Sequence, residues 1–202
     1  MNILSIDSAL NNSYLGIEYD KKLYSKIIKT DKNYHSLYLI SKIKEILYEK
    51  NIELKNISLI TVNSGPGSFT GIRIALTIAK ILAQELNISI IPLKSNEILL
   101  RAYNKKYLLM DARKDMYFFA AKDKIELIYK DKLPKNLNEN ELLVDRRTKE
   151  IFSSSCCYED IDIDLSKTMI ELAKDKYLKT ENKEVFSYIN AKANYIQTPP
   201  VF

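Results

Sequence analysis

The sequence predicts an α/β protein of two related lobes, one over residues 1–104 and a shortened second over 105–202. Three observations carry this. Residues 1–104 read as strand, strand, strand, helix, strand, helix, strand, helix, with short or alternating apolar runs for the strands and 3.6-residue periodicity for the helices. The stretch LSIDSALNNSYLGIEYDKKLYSK has a counterpart in LLMDARKDMYFFAAKDKIELIYK. Each holds an apolar strand ending in aspartate (Asp7, Asp111), a second strand, a charged turn and a third strand. A chain of 202 residues then leaves the second lobe too short to repeat the first in full.

Taken in order, Asn2–Ile6 is a strand running into Asp7, Ser8–Ser13 a polar turn, Tyr14–Tyr19 and Leu23–Ile28 the next two strands of an antiparallel meander. Ser36–Lys50 is a helix whose buried face is Leu39, Ile40, Ile43, Ile46 and Leu47. Leu59–Val62 is a strand, and a long helix to Leu86 follows it after a loop. Ile88–Pro92 is a strand, and Ser95–Tyr103 a helix with Ser95 as its N-cap. That order is the one of a ribonuclease-H-like lobe, the unit that actin-like ATPases use twice. After Lys130 the pattern thins: Leu142–Val144 is a short strand, Ser153–Asp164 loop-like, Leu165–Lys179 an amphipathic helix and YIQTPPVF an extended tail.

The stretch LITVNSGPGSFTGIRIALTIAKILAQEL organises the first lobe. Gly65, Gly67 and Gly71, three of only four glycines, fall in its loop, with Pro66 between two of them. Ser68 and Thr70 are candidate N-caps, so the loop is expected to present free N–H groups at a helix start, a place suited to an anion or a carbonyl. In the helix, Arg73, Thr77, Lys80 and Gln84 share one narrow stripe, and nearly everything else is apolar. The apolar arc is roughly 220° wide, against roughly 100° for a helix that covers one core. Ala75, Leu82 and Leu86 oppose the stripe and are expected on the sheet. Ile74 and Ile81 form one flank, and Ile72, Leu76 and Ala83 the other. The surplus width meets either another helix of this chain or another protein, and width alone does not choose between them.

Composition excludes several classes. Hydrophobic residues make up 46% and charged residues 28%, the balance of a soluble globular protein. No apolar run reaches membrane-span length, and Asp7 interrupts the only apolar run near the N-terminus, so a cytoplasmic protein without a secretory signal is expected. The net charge of +5 comes from scattered lysines, not from a basic arm, so contact with RNA is expected to be indirect or weak. The adjacent Cys156 and Cys157 fit neither disulfide geometry nor zinc-ligand spacing.

The constellations for catalysis are sparse. His35 is the only histidine and has no ligand spacing around it, so no metal is expected. Asp7 stands where nucleases of this fold keep a metal carboxylate, but the next strand ends on Asn63, and two-metal chemistry needs several carboxylates. The loops after Asp7 and Asp111 lack the glycines with which actin-like ATPases cradle phosphate. Ile72 and Arg73 stand where a Walker A loop has Lys and Ser/Thr. No cofactor is expected, and the sequence leaves open whether a nucleotide sits at an interface. Ser68 and Thr70 lack a neighbouring base and read as caps rather than nucleophiles.

GPGSFTGIR followed by an Ala-containing amphipathic helix with Lys80 resembles the signature of the bacterial TsaB (YeaZ) family. NILSIDSA, His35-Ser36 with Leu39 and Ile40, Asp111-Ala112-Arg113 with Tyr117, and Tyr195-Ile196 as a closing strand resemble further segments of that family. Residues 136–160 match nothing in it, and Ala75 and Ile81 stand where it often has glycine. The resemblance implies an actin-like ATPase fold without catalytic metal ligands. It implies a cytoplasmic, non-catalytic subunit that dimerises with the TsaD catalytic subunit, works with the ATPase TsaE and self-associates when alone. Together these transfer a threonylcarbamoyl group to the adenosine beside the tRNA anticodon. On this basis the partner interface comprises His35, Gly65, Pro66, Gly67, Ser68, Phe69, Thr70, Gly71, Ile72, Arg73, Ile74, Leu76, Ile81 and Ala83. An ATPase or small-molecule kinase of the same fold, and a glycoprotease-like peptidase, are the alternatives.

Overall fold

A computed structural model describes residues 1–29, 38–121, 124–134, 137–152 and 156–196. Two compact units emerge, Met1–Ser95 with Asp164–Asn194, and Asn96–Ile163 with Tyr195–Phe202.

The first unit is built on a five-stranded sheet from β1 (Ile3–Asp7), β2 (Ser13–Tyr19), β3 (Lys22–Ile28), β4 (Leu59–Asn63) and β5 (Ser89–Leu93). Its order is β3-β2-β1-β4-β5. β1–β3 form the antiparallel meander, whereas β4 runs parallel to β1 and β5 parallel to β4. The helices α1 (Leu39–Glu49) and α2 (Phe69–Leu86) follow β3 and β4. Because strand side chains alternate between faces, Leu4, Ile6, Leu15, Ile17, Ile60 and Val62 share one face, and this face packs with Leu39, Ile43 and Ile46 of α1 and Ile72, Ala75 and Ala79 of α2. Each fully buried Ile or Leu here contributes about 1.5–3 kcal/mol. Ile40, expected on the buried face of α1, is 54% exposed.

The opposite face, with Ser5 and Gly16, receives α5 (Leu165–Lys179). An added Cβ at Gly16 would stand 2.5 Å from Ser166 Cβ, so the missing side chain sets how closely the helix lies. This corrects the expected assignment of residues 105–202 to the second lobe. α5 buries Leu165, Met169, Ile170 and Ala173 as part of the first unit, on the side of the sheet that α1 and α2 do not cover.

The second unit repeats the strand order. β6 (Tyr107–Asp111), β7 (Met116–Ala121) and β8 (Lys124–Tyr129) form a meander, and β9 (Leu142–Val144) and β10 (Cys156–Cys157) add parallel strands, giving β8-β7-β6-β9-β10. Two sheets of this order make the ribonuclease-H-like, actin-like architecture expected from the sequence. The reduction lies in the connections. Among the described residues, two short 3-10 turns, Lys130–Lys132 and Glu139–Glu141, lie where the first unit has α1. The four-residue α4 (Arg146–Lys149) stands where it has the 18-residue α2. The expected loop at 153–164 contains β10, and the expected closing strand at Tyr195-Ile196 carries no strand. α3 (Ser95–Tyr103) leads from β5 into β6. Among the described residues no helix is long and apolar enough to cross a membrane.

Candidate functional site

The loop between β4 and α2 is braced from beneath by the end of β1. Asp7 is fully buried. Its Oδ1 accepts from the Ala9 N–H at 2.7 Å and its Oδ2 from Asn63 Nδ2 at 3.0 Å. Asn63 Oδ1 accepts in turn from the Gly65 N–H at 2.9 Å. Ser95 Oγ lies 2.9 Å from the same oxygen and 2.7 Å from the Pro66 carbonyl, so one hydroxyl proton serves the two acceptors. Burial pushes the Asp7 carboxyl up to about 6, although the Asn63 and Ala9 donors pull the other way. Ser95, the first residue of α3, is therefore also a brace for the loop. The sequence signals a cap there and contains no cue to Asn63.

The loop closes on the two residues after Asp7. The Ser68 N–H donates to the Ala9 carbonyl at 2.8 Å, and Ser8 Oγ donates to the Gly71 carbonyl at 2.8 Å. An added Cβ at Gly71 would stand 1.7 Å from the Ser8 carbonyl oxygen. Ser68 is the N-cap of α2, its Oγ accepting from the Gly71 N–H at 3.2 Å. The Gly65, Ser68, Gly71 and Ile72 N–H groups all have partners within the chain. At these four positions the chain's own side chains and carbonyls fill the places that the sequence suggested for an anion.

Along α2 the polar stripe of Arg73, Thr77 and Gln84 faces outward. One apolar flank goes with it. Ile81 is 61% exposed, and Ile74 is half-buried. The other flank turns inward: Ile72, Leu76 and Ala83 are core residues, together with Ile78 and Ala79. Within this chain they act as packing residues rather than as a surface for a partner, on the side of α2 that lies on the sheet. Leu82 and Leu86, expected at the centre of the buried face, are only partly buried. Of the loop candidates, Gly65, Pro66 and Gly71 are buried and shape the backbone, whereas Ser68 and Thr70 are exposed and Gly67 and Phe69 half-buried. His35 lies outside the described residues. Among the described residues, no three His, Cys, Asp or Glu side chains gather as a metal site would require.

The second unit carries a counterpart around Asp111. Its Oδ1 accepts from the Arg113 N–H at 3.0 Å and its Oδ2 from Arg147 at 2.9 Å. Asp145 accepts from the Asp111 N–H at 2.6 Å and caps α4 through the Thr148 N–H at 2.7 Å. Burial pushes the Tyr117 hydroxyl up, with the Asp111 charge adding to it. Sequence reasoning missed Asp145 and Arg147 because neither belongs to a recognisable spacing.

Comparison with known proteins decides the family. The family model described as TsaD, tRNA N6-adenosine threonylcarbamoyltransferase, matches residues 22–192. The tRNA threonylcarbamoyladenosine biosynthesis protein TsaB of Buchnera aphidicola subsp. Acyrthosiphon pisum (strain APS) is 28% identical over 200 residues, 98% of this chain and 83% of that protein. The chain belongs to this family as a TsaB/YeaZ member. The TsaB of Bacillus subtilis (strain 168) is 32% identical over 99 residues, 49% of this chain and 43% of that protein. In fold, the chain is similar to YeaZ from Pseudomonas aeruginosa, with a TM-score of 0.78 at 15% identity over 96% of this chain and 99% of the other. The TsaB-like string GPGSFTGIR thus spans the braced loop and the first turn of α2. The Asp111-Ala112-Arg113 segment with Tyr117 forms the turn between β6 and β7, where Asp111 and Tyr117 are paired in register.

Proposed function

We propose that the chain is a non-catalytic subunit in tRNA threonylcarbamoyladenosine biosynthesis, and that it acts by offering the outward flank of α2 to a TsaD-like catalytic subunit. The observation that carries this is Ile81, 61% exposed on a helix whose other apolar residues are largely enclosed, with half-buried Ile74 beside it. The relatives named TsaB support the pathway, and the family model named for the transferase supports the class of partner. The Gly65 and Gly71 N–H groups, taken by Asn63 and Ser68, support a binding role over a phosphate-cradling one. On this reading the braced loop sets the start and direction of α2. Self-association uses the same flank when the partner is absent. A TsaE-like ATPase joins the assembly, tRNA is touched weakly or through the partner, and the work takes place in the cytoplasm.

Burying Ile74 and Ile81 against a partner contributes on the order of several kcal/mol of association, at roughly 1.5–3 kcal/mol per isoleucine. The test is Ile81→Glu, alone and with Ile74→Glu, compared by thermal melting, sedimentation and capture of the TsaD-like subunit from the same cell. Ile81→Glu is expected to melt within about 1 kcal/mol of the parent and to lose both self-association and capture. Undiminished capture by the double variant would remove the physical basis of the proposal.

A further inference from the structure

After α5 the chain turns back along the first unit. The 3-10 turn Lys183–Phe186 lies beside β5, the strand at one edge of the sheet. Lys183 donates to the Tyr177 and Thr180 carbonyls at the end of α5, and Asn190 Nδ2 donates to the Glu184 carbonyl at 3.1 Å, so the turn is tied to the chain before and after it. Between Ser187 and Asn194 the chain forms neither helix nor strand. It is nonetheless fitted to the core. Ala191 is buried in the cluster that holds Ile72 and Ala75, and Tyr188 and Ala193 pack against that cluster.

The segment ends on the loop that launches α2. The Asn194 N–H donates to the Ser64 carbonyl at 2.7 Å. Ser64 is only 3% exposed, and its N–H and Oγ both donate to the Leu93 carbonyl of β5, at 2.8 and 2.9 Å. A carbonyl so enclosed needs a partner other than water, and a segment distant in sequence supplies it. Gly65 follows, with a φ of +101°. A Cβ there would stand 2.7 Å from Ile72 Cδ1 and 3.3 Å from the Asn194 carbonyl oxygen, so Gly65 is the thin spacer between this segment and the first turn of α2.

We infer that residues 187–194 form a strap that fixes the start of α2, with Asn194 as a positioning residue that acts through its backbone N–H. The strap bears on Ser64 by a hydrogen bond, on Gly65 by close approach and on the core around Ile72 through Ala191. Ser64 and Gly65 lead into Ser68, the N-cap of α2, so their placement sets where the helix begins and which way Ile74 and Ile81 face. The consequence for a partner rests on the function proposed above, but the hold on the loop does not.

The experiment compares Asn194→Pro, which removes the N–H, with Asn194→Ala, which keeps it. Each is followed in the full chain by urea titration, by amide hydrogen exchange at Gly65, Ser68 and Gly71, and by capture of the TsaD-like subunit. One bond of this kind shifts a local equilibrium by roughly two- to tenfold. Asn194→Pro is expected to lower protection of the three loop amides by about that factor and to weaken capture by a similar one, while Ile6 and Ile60 in the sheet stay unchanged. Asn194→Ala is expected to match the parent in every readout. Protection that falls across the whole first unit in step with the urea midpoint would mean a merely structural role and overturn the inference. Unchanged loop protection in Asn194→Pro would overturn it too, as would full capture by a variant whose loop has loosened. Should Asn194→Pro fail to fold, Ala191→Leu decides on the same readouts, because a larger side chain in that filled place pushes the strap outward without touching a loop bond. A parent chain that captures no TsaD-like subunit would defeat the proposed function, and the loop amides would still decide the strap.

Discussion

At the end of β1, Asp7 is sealed from water and bonded to an amide; at the end of β6, Asp111 is partly exposed and bonded to the Arg147 guanidinium. The surroundings are otherwise alike. Both aspartates accept from the backbone N–H two residues on, Ala9 and Arg113, and both pair in register with a tyrosine, Tyr14 and Tyr117. One local motif has thus been given two electrostatic settings. Where the connection after β4 is a long helix that packs on the sheet, the carboxyl is buried and, among the described residues, no cation is paired with it. Where the connection after β9 is the short α4, the strand end stays open and a cation comes within reach. The long helix accompanies the closed strand end, and the short one the solvated ion pair.

Adding a methyl group at Gly71 tests how tightly the first strand end is closed. A Cβ there would meet the Ser8 carbonyl oxygen at 1.7 Å, and that oxygen is backbone, unable to swing aside. Gly71→Ala is expected to cost about 3 kcal/mol or more, because overpacking of this kind forces the backbone to move. Urea titration measures it. A loss under about 1 kcal/mol would mean that the loop is not held against β1 and that the two strand ends are more alike than described.

The pH dependence of stability sharpens the contrast next. Asp7 rises from its ordinary 3.8 to about 6 on folding. With the folded value above the unfolded one, its contribution to stability is fully present below pH 3.8 and is lost as pH rises through about 6. The rise corresponds to about 3 kcal/mol between the two forms. Relative to Asp7→Asn, the parent chain is expected to lose roughly that much stability between pH 4 and pH 7.5. Urea melts of both proteins across that range check it, and parallel curves would refute the buried-carboxyl account.

Much of this was legible in the sequence. The alternation of β1–β3 and the second occurrence of a strand ending in aspartate foretold two meanders, and the matching Asp–Tyr registers are the structural form of that echo. The width of the apolar arc on α2 foretold a surplus flank, though only packing could show that Ile72, Leu76 and Ala83 are enclosed and Ile81 is not. What stayed hidden depends on contacts between residues distant in sequence. α5 carries an ordinary amphipathic pattern, and nothing local says that Ser166 fits over Gly16. Ser95 looks like a helix cap, and its bond to Asn63 exists only once β4 and β5 lie side by side. β10 is two residues long, too short for any periodicity to register.

The smallest effect belongs to the open strand end. Arg147 approaches Asp111 at 2.9 Å, with the two side chains 66% and 20% exposed. Water competes for both groups, and ordering a long arginine side chain offsets part of the attraction, so an exposed pair of this kind contributes about 0–1 kcal/mol. Arg147→Ala is expected to lower stability by less than about 1 kcal/mol, and by less still in about 0.5 M salt, where screening removes most of the attraction between surface charges. Asp111→Asn removes the same ion pair but can keep an acceptor for the Arg113 N–H, so its cost should be of the same size or smaller. The measurement is a double-mutant cycle of Arg147→Ala and Asp111→Asn in urea at low and high salt. A coupling well above about 1 kcal/mol that survives salt would show Asp111 to be as sealed as Asp7, and the contrast between the two strand ends would then fall.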